Sequence, residues 1–164
     1  VEKTQENHKR SAETIMEYLR QGHDVAMLNI GDISIYSTCS YIINIIEKNG
    51  FETEVCAGVP SFCAAAARLK KPLVSRKEVL VVAPGYTDEL ESLMSVNGTK
   101  VIMKSGKHMN RVKKLVEKSG MSDNTIIVES CGLKNERIHY GIDETENGYF
   151  SLMIIKNSEE NYNA

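Results

Sequence analysis

Apolar residues at Ala12, Ile15, Met16 and Leu19 recur at i, i+3, i+4 and i+7, which predicts an amphipathic helix over residues 3–20 that stops near Gly22. Residues 24–30, DVAMLNI, form an apolar run of strand length. Tyr41, Ile42, Ile43, Ile45 and Ile46 are apolar over more than one face and predict a well-covered helix from about Tyr36 to Lys48, ending at Asn49-Gly50. A second strand, ETEVCA, follows at residues 52–57. Helix, strand, helix, strand is the order of a doubly wound parallel sheet. Two parallel strands bury too little to stand alone, so the remaining strands of that sheet are expected from sequence beyond these residues.

After Gly58-Val59-Pro60, SFCAAAARL reads as a short helix with Ser61 as its cap. A second alternation then runs through strand 78–83, helix 87–96, strand 99–104, helix 109–119 and strand 124–130. Residues 136–142 and 149–156 flank the turn-rich DETENG and predict an antiparallel hairpin at the end of the sheet. The expected class is α/β: residues 1–57 are the end of a parallel-sheet first domain, 58–157 a complete mixed-sheet second domain, and 158–164 a frayed tail.

Composition narrows the function classes only modestly. With 164 residues and 41% hydrophobic content the chain can fill one ordinary core or two small ones. A net charge of −2 supplies no global basic field, which argues against non-specific nucleic-acid binding. Cys39, Cys56, Cys63 and Cys131 show no C-x-x-C spacing and are expected to be free cytosolic thiols, while His8, His23, His108 and His139 stand in no metal-ligand spacing. No apolar run approaches the about 20 residues that span a bilayer. The chain opens on Val1 inside a helical pattern, as the interior of a longer polypeptide would.

The stretch NIGDISIYST, residues 29–38, sits where a predicted strand gives way to a predicted helix. Gly31 allows close approach of the backbone, and such a loop at a strand's carboxyl end makes a natural wall for a ligand. Asp32 can accept from a ligand's ammonium group or can order the loop through local amides. Ser37 and Thr38 read as helix-start hydroxyls. The G-x-G-x-x-G spacing of a dinucleotide loop is absent.

This GD loop with YST just after it, then AGVPSFCAAAARL, VIMK, VESCGLKNERI and YFSLMIIK, in order from about Glu2 to Lys156, resembles the S-adenosylmethionine-dependent tetrapyrrole methyltransferases of cobalamin biosynthesis. CGLKNERI together with YFSLMIIK is most similar to the branch acting on precorrin-2 or cobalt-precorrin-2. Two departures stand out. The family's N-terminal strand with its glycine-proline-rich loop has no counterpart here, as in a fragment of a longer enzyme, and Ile33 stands where the GDP-type loop has proline.

The resemblance implies methyl transfer to C20 of the macrocycle, with S-adenosyl-L-methionine as donor, S-adenosyl-L-homocysteine as product and a homodimeric assembly. It implies that Ile30, Gly31, Asp32 and Ile35 form one wall of the donor site, that Pro60 and Ser61 touch the donor beside the domain junction, and that Met103 and Cys131 contact it from two later strand ends, Cys131 through its backbone. As a bare sequence feature Met103 is a core residue. The polycarboxylate substrate asks for cations, and Arg68, Lys70, Lys71, Arg76 and Lys77 form one basic run, Lys104, Lys107, His108 and Arg111 another, with Lys134 and Arg137 further candidates. A sulfonium is already activated, so placement dominates and no catalytic residue is assigned. Another ring methyltransferase of the same pathway, and a non-catalytic cofactor- or partner-binding module, are the competing readings.

Overall fold

Helix α1, Glu2–Arg20, and helix α2, Cys39–Lys48, pack through the stripe the periodicity marks: Ala12 and Met16 against Ile42 and Ile46, flanked by Ile15, Leu19, Ile45 and Phe51. These contacts belong to a computed structural model that describes residues 2–142 and 150–157. The expected turn DETENG and the expected tail from Ser158 lie outside the described residues. The chain divides into two compact units, Val1–Ser61 and Phe62–Ala164.

In the first unit, α2 begins three residues later than its apolar pattern predicts, because Tyr36 takes a left-handed conformation with φ 52°. Its far end is closed by Asn49, whose Nδ2 donates to Ile45 O at 2.8 Å, and by Gly50 at φ 86°, whose N–H reaches Glu47 O at 2.9 Å. Residues 24–30 and 52–57 form no strands, contrary to expectation. A strand exists only through its ladder, and neither segment has a paired neighbour among the described residues. Both run unpaired, leaving Leu28 at 93% and Ile30 at 90% exposure.

The second unit holds a five-stranded sheet in the order β1-β2-β5-β3-β4, built from β1 Leu80–Pro84, β2 Thr99–Met103, β3 Thr125–Glu129, β4 Arg137–Tyr140 and β5 Ser151–Ile155. β1 and β2 pair in parallel, and β5 lies antiparallel between β2 and β3. The predicted alternation of strands and helices is therefore present as β1, α4 (Leu90–Met94), β2, α5 (Met109–Lys118) and β3. The predicted hairpin is not. β4 pairs with β3 at the sheet edge, and β5 takes a central place away from it. Burial decides this: all five residues of β5 are buried, as a strand covered on both faces requires, whereas β4 is exposed at both ends. Ile102, Ile127, Met153 and Ile155 face Leu90 and Met94 of α4 and Met109, Val112 and Val116 of α5 to make the core.

Polar groups close the end of the sheet where β2 begins. Thr99 Oγ1 lies 2.7 Å from both Leu73 O and Glu78 Oε1, and Lys156 Nζ donates to Leu73 O at 2.6 Å and lies 3.5 Å from Glu78 Oε2. Partial burial works to raise the pKa of Glu78, but hydrogen bonds from Thr99 and the Ser75 N–H, together with Lys156, outweigh it and leave the pKa lowered. Lys100 is fully buried, its Nζ donating to Asn157 Oδ1, while Asn157 Nδ2 donates to Asn97 Oδ1 at 3.0 Å.

Candidate functional site

The loop after residue 29 is braced from within. Asn29 Nδ2 donates to Ile30 O at 3.2 Å, and its Oδ1 accepts from Ser37 Oγ at 3.1 Å. Ser37 in turn accepts the Cys39 N–H at 3.2 Å, so it serves the start of α2 as expected, whereas Thr38 makes no side-chain cap bond. Gly31 stands at φ 89°, where a side chain would be strained.

Asp32 ties this loop to the segment before helix α3, Ser61–Leu69. Its Oδ1 accepts from Ser34 N at 2.8 Å and from Ser34 Oγ, and its Oδ2 accepts from Gly58 N at 2.8 Å. The two bonds from Ser34, then the one from Gly58, hold its pKa below the usual carboxylate value. Of the two roles open to Asp32, the one visible in the structure is ordering the loop. The two loops meet without a side chain between them: a Cβ on Gly58 would stand 2.4 Å from Gly31 O and 3.1 Å from Asp32 Cα. Val59 O is 3.8 Å from the position of a Cβ on Gly31, and half-buried Pro60 and Ser61 follow directly. Ile30, Gly31, Asp32, Ile35, Pro60 and Ser61 thus gather in one unit. Ser61 is the first residue of α3 rather than a residue preceding it.

Met103 and Cys131 belong to the second unit, Met103 as the last residue of β2 and Cys131 two residues past the end of β3. Met103 closes β2, and its carbonyl accepts from Gly85 N at 2.7 Å. The residue after β2, Lys104, has φ 51°, and the residue after β3, Ser130, has φ 49°. Non-glycine residues are uncommon there, and two at equivalent strand ends mark loops held in shape by their surroundings. Cys131 follows Ser130. Burial, then Glu136, push its thiol pKa up against the opposing pull of Arg68, so at neutral pH it is a thiol and a poor nucleophile.

Among the basic candidates, Arg137 Nη2 bonds the buried carboxylate of Glu129 at 2.8 Å, and Lys71 lies 6.0 Å from the Tyr140 ring centroid. Arg68 and Lys134 line one cleft. Sequence reasoning missed Gly58 as the close-approach partner of Gly31, and Glu136 as an organiser of the loop after Cys131. Nothing local flags either, since both act on groups distant in sequence or on backbone amides.

The chain belongs to the Tetrapyrrole (Corrin/Porphyrin) Methylases, whose family model matches residues 1–142. Among its relatives, a protein of Methanocaldococcus jannaschii named "Probable cobalt-precorrin-2 C(20)-methyltransferase" is 34% identical over 162 residues, 94% of this chain and 68% of its own length. A precorrin-2 C(20)-methyltransferase of Sinorhizobium sp. is 29% identical over 90% of this chain and 62% of its own length. The crystal structure of a uroporphyrin-III C-methyl transferase from Thermus thermophilus, complexed with S-adenyl homocysteine, shares the fold at a TM-score of 0.73 with 20% identity, covering 91% of this chain and 73% of that one.

Proposed function

We propose that this chain takes part in S-adenosylmethionine-dependent methyl transfer to C20 of precorrin-2 or cobalt-precorrin-2 in cobalamin biosynthesis. The observation that carries this reading is the likeness, over 94% and 90% of the chain, to two relatives named for that reaction. The chain spans 68% and 62% of their lengths, so the activity is proposed for the protein of which these residues form the corresponding part.

The residues present fit the donor. The backbones of Gly31 and Gly58 meet with no side chain between them, which supports this pair of loops as one wall of the donor site. S-adenosylmethionine, when bound, supplies a methyl group already activated on a sulfonium. The protein's part is then to bind, orient and exclude competing nucleophiles. Within this proposal Ile30, Gly31, Asp32, Ile35, Pro60, Ser61, Met103 and Cys131 contact the donor, with Asp32 shaping the loop that does so. The raised pKa of the Cys131 thiol suits a site that must not consume its own methyl group. Residues 1–57 as the end of a first domain, residues 58–157 as a whole second one, a homodimeric assembly and a cytoplasmic location belong to the same proposal. Among the described residues no helix is long and apolar enough to cross a membrane.

The test is incubation with precorrin-2, or its cobalt complex, and methyl-labelled S-adenosylmethionine, followed by NMR location of the label. Label at C20 is expected. Label at another ring carbon would replace the substrate assignment, and donor binding without any transfer would favour a binding module.

A further inference from the structure

The loop between β3 and β4 forms, with α3, an open cleft of about 480 Å³ lined by Arg68, Gly132, Leu133, Lys134 and Glu136. Its polar groups are unequally used. Glu136 Oε2 accepts from Gly132 N at 2.7 Å, and its Oε1 accepts from Arg68 Nε at 2.6 Å. The bond from Gly132, then that from Arg68, hold the Glu136 carboxyl low, so it stays ionised. The bond to Glu136 engages only Nε of Arg68. The guanidinium therefore keeps its outer edge, with both Nη groups, and the side chain is 63% exposed. Among the described residues Lys134 makes no ion pair and is exposed. The cleft carries two cations against one carboxylate, with Leu133, 55% exposed, as an apolar wall.

A surface ion pair formed for stability alone gains little. This one does something more specific. By holding Nε, Glu136 fixes the plane of the guanidinium and leaves the Nη1/Nη2 edge presented outward, the edge that takes a carboxylate bidentately. Its second oxygen fixes the Gly132 amide and so the loop that carries Lys134. Glu136 thus braces both the Arg68 guanidinium and the loop that carries Lys134.

We propose that Arg68 and Lys134 form a clamp for a peripheral carboxylate of the tetrapyrrole substrate, with Glu136 as the positioning residue that orients Arg68. The clamp rests on the methyl-transfer reading and adds to it a specificity element: it selects a macrocycle bearing acidic side chains over one whose side chains are neutral. Arg68 forks one carboxylate, Lys134 adds a movable charge, and Leu133 offers contact to the apolar part of the ring's substituent.

The experiment is fluorescence titration of the whole protein that carries these residues with uroporphyrin III, a stable polycarboxylated porphyrin, and with its methyl ester, alongside calorimetry with S-adenosylhomocysteine. Arg68→Ala is expected to weaken porphyrin binding by about ten-fold or more, the loss of charged hydrogen bonds, and Lys134→Ala by a smaller factor. Neither is expected to change binding of S-adenosylhomocysteine, and the methyl ester is expected to bind the wild type at least as weakly as the acid binds Arg68→Ala. Arg68→Lys keeps the charge and the link to Glu136, so it guards against a folding artefact. Its binding is expected to recover in part, because lysine cannot fork. Porphyrin binding by Arg68→Ala equal to wild type would overturn the clamp and leave methyl transfer standing. A wild type that binds S-adenosylhomocysteine but no porphyrin would also overturn the clamp. A wild type that binds neither would overturn both.

Discussion

Gly58→Ala tests the loop junction on which the proposed donor site depends. The new Cβ would stand 2.4 Å from Gly31 O where ordinary contact begins at 3.4 Å, so the two loops must part by 1.0 Å. The same movement lengthens the bond from Gly58 N to Asp32 Oδ2, now 2.8 Å, beyond hydrogen-bonding range. The clash and the bond cannot both be accommodated. Overpacking of this kind costs about 1–3 kcal/mol where surroundings resist. Here both loops are largely exposed, so most of the cost should appear in ligand binding rather than in global stability. Each 1.4 kcal/mol is about a factor of ten in affinity, so binding of S-adenosylhomocysteine should weaken by about ten- to one hundred-fold. Calorimetry reads that change, a thermal melt of both proteins should show little difference, and hydrogen exchange of the amide at position 58 should quicken. If Gly58→Ala binds S-adenosylhomocysteine as the wild type does and keeps that amide protected, the reasoning fails.

Three further outcomes follow from groups placed above. Lys100 is buried and its pKa is lowered from 10.5, so above its folded value the unfolded chain holds the proton the native state has released, and stability should rise with pH toward 10.5. Urea midpoints between pH 7 and 10.5 should show that rise in the wild type and not in Lys100→Met; parallel curves would count against it. Met153, fully buried in the central strand, should cost about 2–5 kcal/mol when changed to Ala, and Leu80, 36% exposed on edge strand β1, clearly less, as read by urea unfolding. Asp32 should titrate below 3.8 by NMR of its carboxyl carbon, so the loop order it confers persists above that value and is lost as pH falls through its folded pKa. Ser34→Ala should move that midpoint back up, and a midpoint that stays put would mean the bonds from Ser34 are not its cause.

How far the sequence revealed the fold depended on whether the decisive interaction was local. The α1 stripe, α5 and the strands β1, β2 and β3 announced themselves through their apolar patterns, because each element's own residues carry its burial pattern. The strand expectations at 24–30 and 52–57 failed because an apolar run states a need for cover, and the ladder that would make it a strand must come from elsewhere. The hairpin expectation failed through overweighting the turn residues of DETENG. The uninterrupted run Leu152-Met153-Ile154-Ile155 already called for cover on both faces, which only a central position supplies. At the candidate site, Gly31 and Asp32 were legible as loop chemistry, whereas the Gly58 contact and the Glu136 strut join residues or backbone groups that no linear pattern connects.

The position of β5 bears on how this protein is made. A ribosome delivers β1, β2 and β3 first, yet β2 and β3 are not neighbours and cannot complete their ladders until residues 151–155 emerge to lie between them. The nascent second unit must therefore wait with an open slot in the middle of its sheet, exposing strand edges that invite wrong pairing. A stop codon before Ser151 would remove the keystone rather than trim an edge, and the shortened product is expected to go to chaperones and proteases instead of persisting as a smaller fold.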